Sequence, residues 1–147
     1  MMKGVLYVVT AIKSLKYIKA ALKSAASVKK LERNIKIHIF LDYDSYLYAE
    51  KFMEDLFDSH EIIKYPKYRS KIYFLERTPF ERTLYLDADT RLISSIDSLF
   101  NVLDNNIDLA LSHEHRRNHE GHKINLFKKI SYDFSQFNSG VILYKKN

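Results

Sequence analysis

Residues 82–91 read Arg82-Thr83-Leu84-Tyr85-Leu86-Asp87-Ala88-Asp89-Thr90-Arg91. Residues 83–86 have the composition of a buried strand, and the strand runs directly into two carboxylates. Packing gives no reason to end an apolar strand on two acids, because a charge is costly to bury unless it is paired or metal-bound. In an open α/β sheet, ligands bind beyond the carboxyl ends of the strands. A cation site at the end of a central strand is therefore the simplest expectation. In a continuing strand Asp87 and Asp89 would point to the same side, and together they could share one hard cation such as Mg²⁺ or Mn²⁺, with diphosphate oxygens at its other positions. The same spacing also fits a turn whose acids face water.

Working outward from this stretch, strands and helices alternate. Residues 5–10 are continuously apolar, as befits a strand covered on both faces. A helix is expected over residues 14–31, where Leu15, Ile18, Leu22 and Ala25 fall at helical spacing with lysines opposite. A second strand is expected over 35–41, ending at Asp42, and a second helix over 46–57. A short strand over 60–65 is stopped by Pro66, and a helix over 70–80 is weakened by Pro79. After the central stretch, Ser94 or Ser95 can cap a helix reaching Leu103, with Asp97 in its first turn. Strands follow over 107–111 and 140–144, with a polar segment between them. The alternation predicts a single α/β domain spanning residues 1–147, with a mostly parallel central sheet and helices on both faces.

Composition bounds the function. The chain has 147 residues, a net charge of +6 and no cysteine. Disulfides, thiolate metal sites and a cysteine nucleophile are thereby excluded. A basic balance favours anionic partners. The lysines between Lys13 and Lys36, with Lys145 and Lys146, form no dense block, and nothing in their spread shows the aromatic-plus-basic pattern of a nucleic-acid module. The apolar run over residues 4–12 is too short for a membrane span and is β-branched. It reads as an inner strand, which gives the expectation of a cytoplasmic protein without a transmembrane segment.

Two rival motifs fail at particular positions. A calcium loop counted from Asp87 needs glycine sixth, where Leu92 stands. A haloacid-dehalogenase-type phosphatase would carry threonine or valine fifth, where Arg91 stands, and usually on the first strand.

Three blocks in order resemble another family more closely: residues 84–90 (Leu-Tyr-Leu-Asp-Ala-Asp-Thr), residues 96–100 (Ile-Asp-Ser-Leu-Phe) and residues 137–143 (Phe-Asn-Ser-Gly-Val-Ile-Leu). Together they resemble the GT-A glycosyltransferases, and within them the glycogenin-like nucleotide-diphospho-sugar transferases. The resemblance implies a three-layer α/β/α fold and transfer of a sugar from a nucleoside diphosphate sugar, most simply a UDP-sugar, to a hydroxyl of a glycan, protein or lipid acceptor. It also implies an Mn²⁺ or Mg²⁺ cofactor and retention at the anomeric carbon. Asp89 would be the direct metal ligand. Asp87 would share the metal or contact the ribose, and the Ala88 backbone would lie against the nucleotide. Lys71, sixteen residues before Asp87, would approach the donor phosphates. Thr10 and Ala11 would cradle the nucleoside, and Asp42 would accept a hydrogen bond from the uracil N–H or, alternatively, cap a turn. Asn138, Ser139 and Gly140 match the family's Asn-Ser-Gly turn, with Asn138 on the sugar hydroxyls and Gly140 allowing a close backbone approach or a positive φ. Gln136 and Asp133 would face the sugar.

His113, His115, His119 and His122 crowd into ten residues without a standard ligand spacing, and read as a surface or acceptor-gating loop, which by the resemblance would cover the donor or shape the acceptor cleft. His38 reads as a satisfied sheet histidine. Glycogenin-like enzymes continue beyond the point matched by Asn147, and a later histidine completes their metal site. The expectation is therefore a donor-binding domain without the acceptor segment. It would be a truncated piece of a longer transferase, or would be completed by a homodimer partner, or would be a module that binds a nucleotide sugar without transferring it.

Overall fold

The computed structural model describes residues 2–12, 14–104, 106–113 and 137–146. Strands β1 (Lys3–Val9), β2 (Lys36–Leu41), β3 (Ser59–Ile62), β4 (Arg82–Leu86), β5 (Leu109–His113) and β6 (Phe137–Lys145) form one sheet in the order β3-β2-β1-β4-β6-β5. Three pairings are parallel, and β6 runs antiparallel between β4 and β5. The mostly parallel α/β sheet expected from the alternation is thus present, with β1 near its centre. The apolar run at residues 4–12 supplies that inner strand.

The two faces are covered unequally. Val5, Tyr7 and Val9 of β1, Ile37, Ile39 and Leu41 of β2, and Leu84 and Leu86 of β4 face α1 (Lys16–Leu31), which buries Ile18, Ala21, Ala25 and Val28 against them. The same core takes Ala49, Met53 and Phe57 on one side and Phe100 and Leu103 on the other. On the opposite face a smaller core gathers Leu6, Phe40, Ile63 and Tyr85 under Phe74 and Leu75. Alternate residues of β1, β2 and β4 are buried on both sides, which explains their continuous apolar reading.

Several boundaries differ from expectation, some where a cap or a side-chain hydroxyl overrides the periodic pattern. The second helix begins early, as α2 (Tyr43–Ala49), because Asp42 caps it: its backbone is extended and its carboxylate accepts from Ser45 N–H at 3.1 Å. A 3-10 turn, Glu50–Phe52, then separates α2 from α3 (Met53–Leu56). The helix expected over 70–80 is only α4 (Ser70–Phe74). Beyond it, the buried Thr78 hydroxyl meets Thr83 at 2.8 Å, and the Phe80 ring lies where a Cβ on Gly4 would stand, 2.4 Å away. The Asp97–Asp104 segment is 3-10 rather than α-helical. β6 starts three residues before the expected strand, and so includes the Asn138-Ser139-Gly140 turn. His38 is buried with Nδ1 at 2.7 Å from Ser59 Oγ and its ring edge on Phe40, but Nε2 has no hydrogen-bond partner among the described residues. It is a sheet histidine only half satisfied.

Candidate functional site

β4 ends at Leu86, so Asp87 and Asp89 do not continue a strand. The Asp87 carbonyl accepts from Thr90 N–H at 3.1 Å and from the Thr90 hydroxyl at 2.8 Å, closing a turn over the two acids. A hydrogen-bonded column braces that turn from below. Thr90 Oγ1 lies 3.0 Å from Ser24 Oγ of α1, which lies 2.8 Å from the Tyr7 hydroxyl of β1. Ser24 and Tyr7 are fully buried. Burial drives the Tyr7 pKa upward, so the phenol keeps its proton and can donate.

The antiparallel direction of β6 brings its early residues to the carboxyl end of β4. Opposite β5 the register jumps between Leu111↔Ile142 and Ser112↔Asn138, which leaves Ser139, Gly140 and Val141 as a bulge on that side. Bulges re-aim a strand locally. Here the bulge turns its backbone onto the acids: Asp87 N–H donates to Gly140 O at 2.7 Å, and Gly140 N–H donates to the Asn138 side chain at 2.6 Å. A Cβ on Gly140 would sit 2.9 Å from Asn138 Oδ1 and 3.2 Å from Asp87 Oδ2. Glycine is required for this close approach and not for a positive φ, which no described glycine adopts.

Lys71 of α4 joins the two halves. Its ammonium donates to Asp87 Oδ1 and to Ser139 O, both at 3.1 Å, and lies 5.2 Å above the Tyr85 ring. The Tyr85 hydroxyl donates to the same Asp87 oxygen at 2.5 Å. Burial, reinforced by the adjacent Asp87 carboxylate, pushes the Tyr85 pKa up and keeps it a donor. Among the described residues, Asp87 Oδ2 accepts no hydrogen bond and the exposed Asp89 has no partner.

These groups surround a cleft of about 390 Å³ lined by Val8, Thr10, Ile12, Tyr17, Tyr68, Ser70, Lys71, Tyr85, Asp87, Ala88 and Asp89. Of the residues expected from sequence, the cleft gathers Thr10, Lys71, Asp87, Ala88 and Asp89 into one wall set, with Ser139 and Gly140 touching it through Lys71 and Asp87. Ala11 and Asp42 do not line it. The Asp42 carboxylate is buried behind, accepting from Ala11 N–H at 2.6 Å and from Ser45 N–H. It fixes the turn after β1 and caps α2 at once. Asn138 is exposed and does not line the cleft. Gln136, Asp133, His115, His119 and His122 lie outside the described residues, as does the side chain of His113.

Sequence reasoning missed Tyr85, Tyr17, Tyr68 and the Tyr7–Ser24–Thr90 column. Tyr85 was within reach: it stands two residues before Asp87, on the same side of the strand. Ser24 also carried a signal, as a hydroxyl in the apolar stripe of α1. Tyr17 and Tyr68 had none, because only the fold brings the start of α1 to the turn before α4.

No protein-family model and no curated protein sequence matches the chain. Solved structures do. Mouse xyloside xylosyltransferase 1 in its apo form superimposes with a TM-score of 0.64 at 19% identity, over 99% of this chain and 67% of that one. The galactosyltransferase LgtC, in complex with donor and acceptor sugar analogues, gives 0.66 at 16% identity, over 98% of this chain and 58% of its own. The 4-diphosphocytidyl-2C-methyl-D-erythritol synthase from Anaerococcus prevotii gives 0.57 at 16% identity, over 98% and 72%. The chain thus spans between roughly half and three quarters of these proteins' lengths. Identities this low speak for the fold and leave the reaction to the site. The sheet order, the antiparallel β6 and these superpositions agree on one architecture: the chain has the GT-A, nucleotide-diphospho-sugar transferase-like fold.

Proposed function

We propose that the cleft binds a nucleoside diphosphate sugar, most simply a UDP-sugar, with a divalent cation, and transfers the sugar to a hydroxyl acceptor. One observation carries this reading. At the carboxyl end of the sheet, two carboxylates lacking a full set of donors stand beside a lysine that already bridges the turn after β4 and the β6 bulge.

The residues fit a cation. Asp87 Oδ2 and both oxygens of Asp89 are hard oxygen donors with no partner among the described residues, the chemistry that Mg²⁺ and Mn²⁺ select. No described cluster offers three or more metal-binding side chains. Diphosphate oxygens and water would complete the coordination, as is usual for such ions. Bound there, the ion supplies Lewis-acid stabilisation of a departing diphosphate.

The chain's own residues have separate tasks. Asp89 and Asp87 hold the ion. Lys71, a compact point charge, faces phosphate oxygens and neutralises charge as the glycosidic bond breaks. Tyr85 keeps one Asp87 oxygen occupied and so turns the other toward the cleft. Thr10 and the Ala88 backbone meet the nucleoside, flanked by the Tyr17 and Tyr68 rings. Asp42 and Ala11 act from behind by fixing the turn that carries Thr10. Asn138, just before the bulge, is assigned to the sugar hydroxyls by the resemblance. Gln136 and Asp133 are assigned to the sugar side by resemblance alone.

A thermal-shift series of nucleotide sugars with and without Mn²⁺ tests the proposal. Ligand binding to the native state raises the melting temperature by mass action, by about 2.7 kcal/mol of stability at a hundredfold excess over Kd. A UDP-sugar should give an Mn²⁺-dependent shift that Asp89→Asn abolishes. The absence of any nucleotide shift, or one indifferent to Asp89, would sink the reading. Release of UDP on adding an acceptor separates a transferase from a module that binds the nucleotide sugar alone.

A further inference from the structure

Beside the donor cleft, on the other side of the turn before α4, lies a second groove of about 470 Å³. Its lining includes Lys64, Tyr65, Lys67, Tyr73, Phe74 and Arg77. Residues 64–73 read Lys-Tyr-Pro-Lys-Tyr-Arg-Ser-Lys-Ile-Tyr, with four basic residues, three tyrosines and no acid. Basic and aromatic residues interleave densely here, and the scattered lysines elsewhere conceal it.

The rings are presented outward. Tyr65 is 85% exposed and Tyr73 60%, beside Ile72 at 61%. Large apolar groups left outside a core in one cluster mark an interaction surface. The segment is also rigid. Buried Ser70 accepts from Lys67 N–H and donates to Lys67 O, both at 2.8 Å, and its own N–H donates to the same carbonyl at 3.0 Å. Arg77 lies over Phe74 at 5.2 Å and over Phe40 at 5.8 Å, and pairs with Glu61, the only acid in the groove's lining. With that acid neutralised, the lining residues Lys64 and Lys67 make no ion pair among the described residues. The Lys67 ammonium lies 5.8 Å over the Tyr73 ring, so the groove offers the exposed Tyr65 ring, a guanidinium held over two aromatic rings and two lysines without an ion pair.

We propose that this groove binds an anionic saccharide chain. Tyrosine faces carry the negative lobe of the ring quadrupole and suit the C–H faces of pyranose rings, while Lys64 and Lys67 suit acidic substituents. Ser70 lines both this groove and the donor cleft, so one wall separates them. A chain lying in the groove would reach the cleft past Tyr68. Its role as acceptor rests on the transferase reading above; its binding does not.

Calorimetry on the full chain with tetragalacturonate, uncharged maltotetraose and tetrathymidylate tests the proposal. Tetragalacturonate should bind without metal or nucleotide, at least tenfold more tightly than either of the others. Lys64→Ala with Lys67→Ala, and separately Tyr65→Ala, should each weaken it at least tenfold. Lys23→Ala with Lys30→Ala removes equal charge from exposed positions on α1 and should change it by less than twofold. Equal binding of maltotetraose, equal or tighter binding of tetrathymidylate, or equal damage from the α1 pair would overturn the proposal, as would no binding of tetragalacturonate. Asp89→Asn should leave this binding intact. If UDP-sugar binding fails while tetragalacturonate binds, the transferase reading falls and the saccharide groove stands.

Discussion

Two aspartate–lysine constellations sit at opposite ends of the sheet, and they are wired differently. At the amino end, Asp58 accepts from Lys29 at 2.7 Å, Lys36 at 2.8 Å and the Ile37 N–H at 2.9 Å, so both of its oxygens are engaged. Burial would raise its pKa, but these donors outweigh burial and hold it down at about 2. At the carboxyl end, Asp87 has one oxygen taken by Lys71 and Tyr85 and, among the described residues, the other without a donor, and Asp89 has none. A carboxylate saturated by its own protein ties α1 to β2 and β3. A carboxylate held by one oxygen is oriented but left short, and that shortage is the capacity to take a ligand.

The largest contrast should appear when each end is cut. Asp89→Asn should weaken Mn²⁺-dependent UDP-sugar binding at least about 100-fold, more than the loss of an outer-shell partner costs, and leave the urea midpoint unchanged. Asp58→Ala should do the reverse, lowering stability by roughly 1–3 kcal/mol, because two ammonium groups and an amide lose their acceptor. A loss of nucleotide binding in Asp58→Ala would erase the distinction.

A pH series sharpens it. His38 is held down at about 4 from its ordinary 6.5, by burial first and then by His60. The unfolded chain takes up this proton first, so stability should be complete above pH 6.5 and fall as pH drops toward 4, by up to roughly 3 kcal/mol. The Asp58 contribution should follow at lower pH, present above its unfolded value of 3.8 and lost toward 2. Urea titrations from pH 7 to 3 should show the first step in the wild type and its absence in His38→Leu.

The same methyl group added at each end gives a smaller test. In Gly4→Ala the Cβ would meet the buried Phe80 ring at 2.4 Å, and the overpacking should cost roughly 1–3 kcal/mol. In Gly140→Ala it would press on Asn138 Oδ1 and Asp87 Oδ2. Nucleotide binding should weaken by about tenfold, or 1.4 kcal/mol, with the smaller change in melting temperature.

The sheet was legible because its inner strands are apolar without interruption, and a parallel sheet covered on two faces needs that pattern. The acid pair and Lys71 were legible as chemistry, since their residue types have no role in a core. Their geometry was not. That Asp87 and Asp89 lie on a turn depends on Thr90, whose hydroxyl closes it, and on Ser24, 66 residues earlier in the chain. The ends of α2 and α4 were misjudged for the same reason: Asp42 and Thr78 answer to partners distant in sequence or to side-chain hydroxyls that periodicity ignores. The basic-aromatic stretch at 64–73 was written in the sequence, but composition averaged it away among two dozen basic residues.

The antiparallel course of β6 makes one strand answerable for two things. Among the described residues β5 is held in the sheet through β6, and β6 through β4. The same strand carries the carbonyl of Gly140 that accepts from Asp87 N–H. Detaching β6 would therefore strip the sheet of its antiparallel edge and the acid turn of its backbone anchor in one event. The edge of the sheet and the ligand-binding turn stand or fall together.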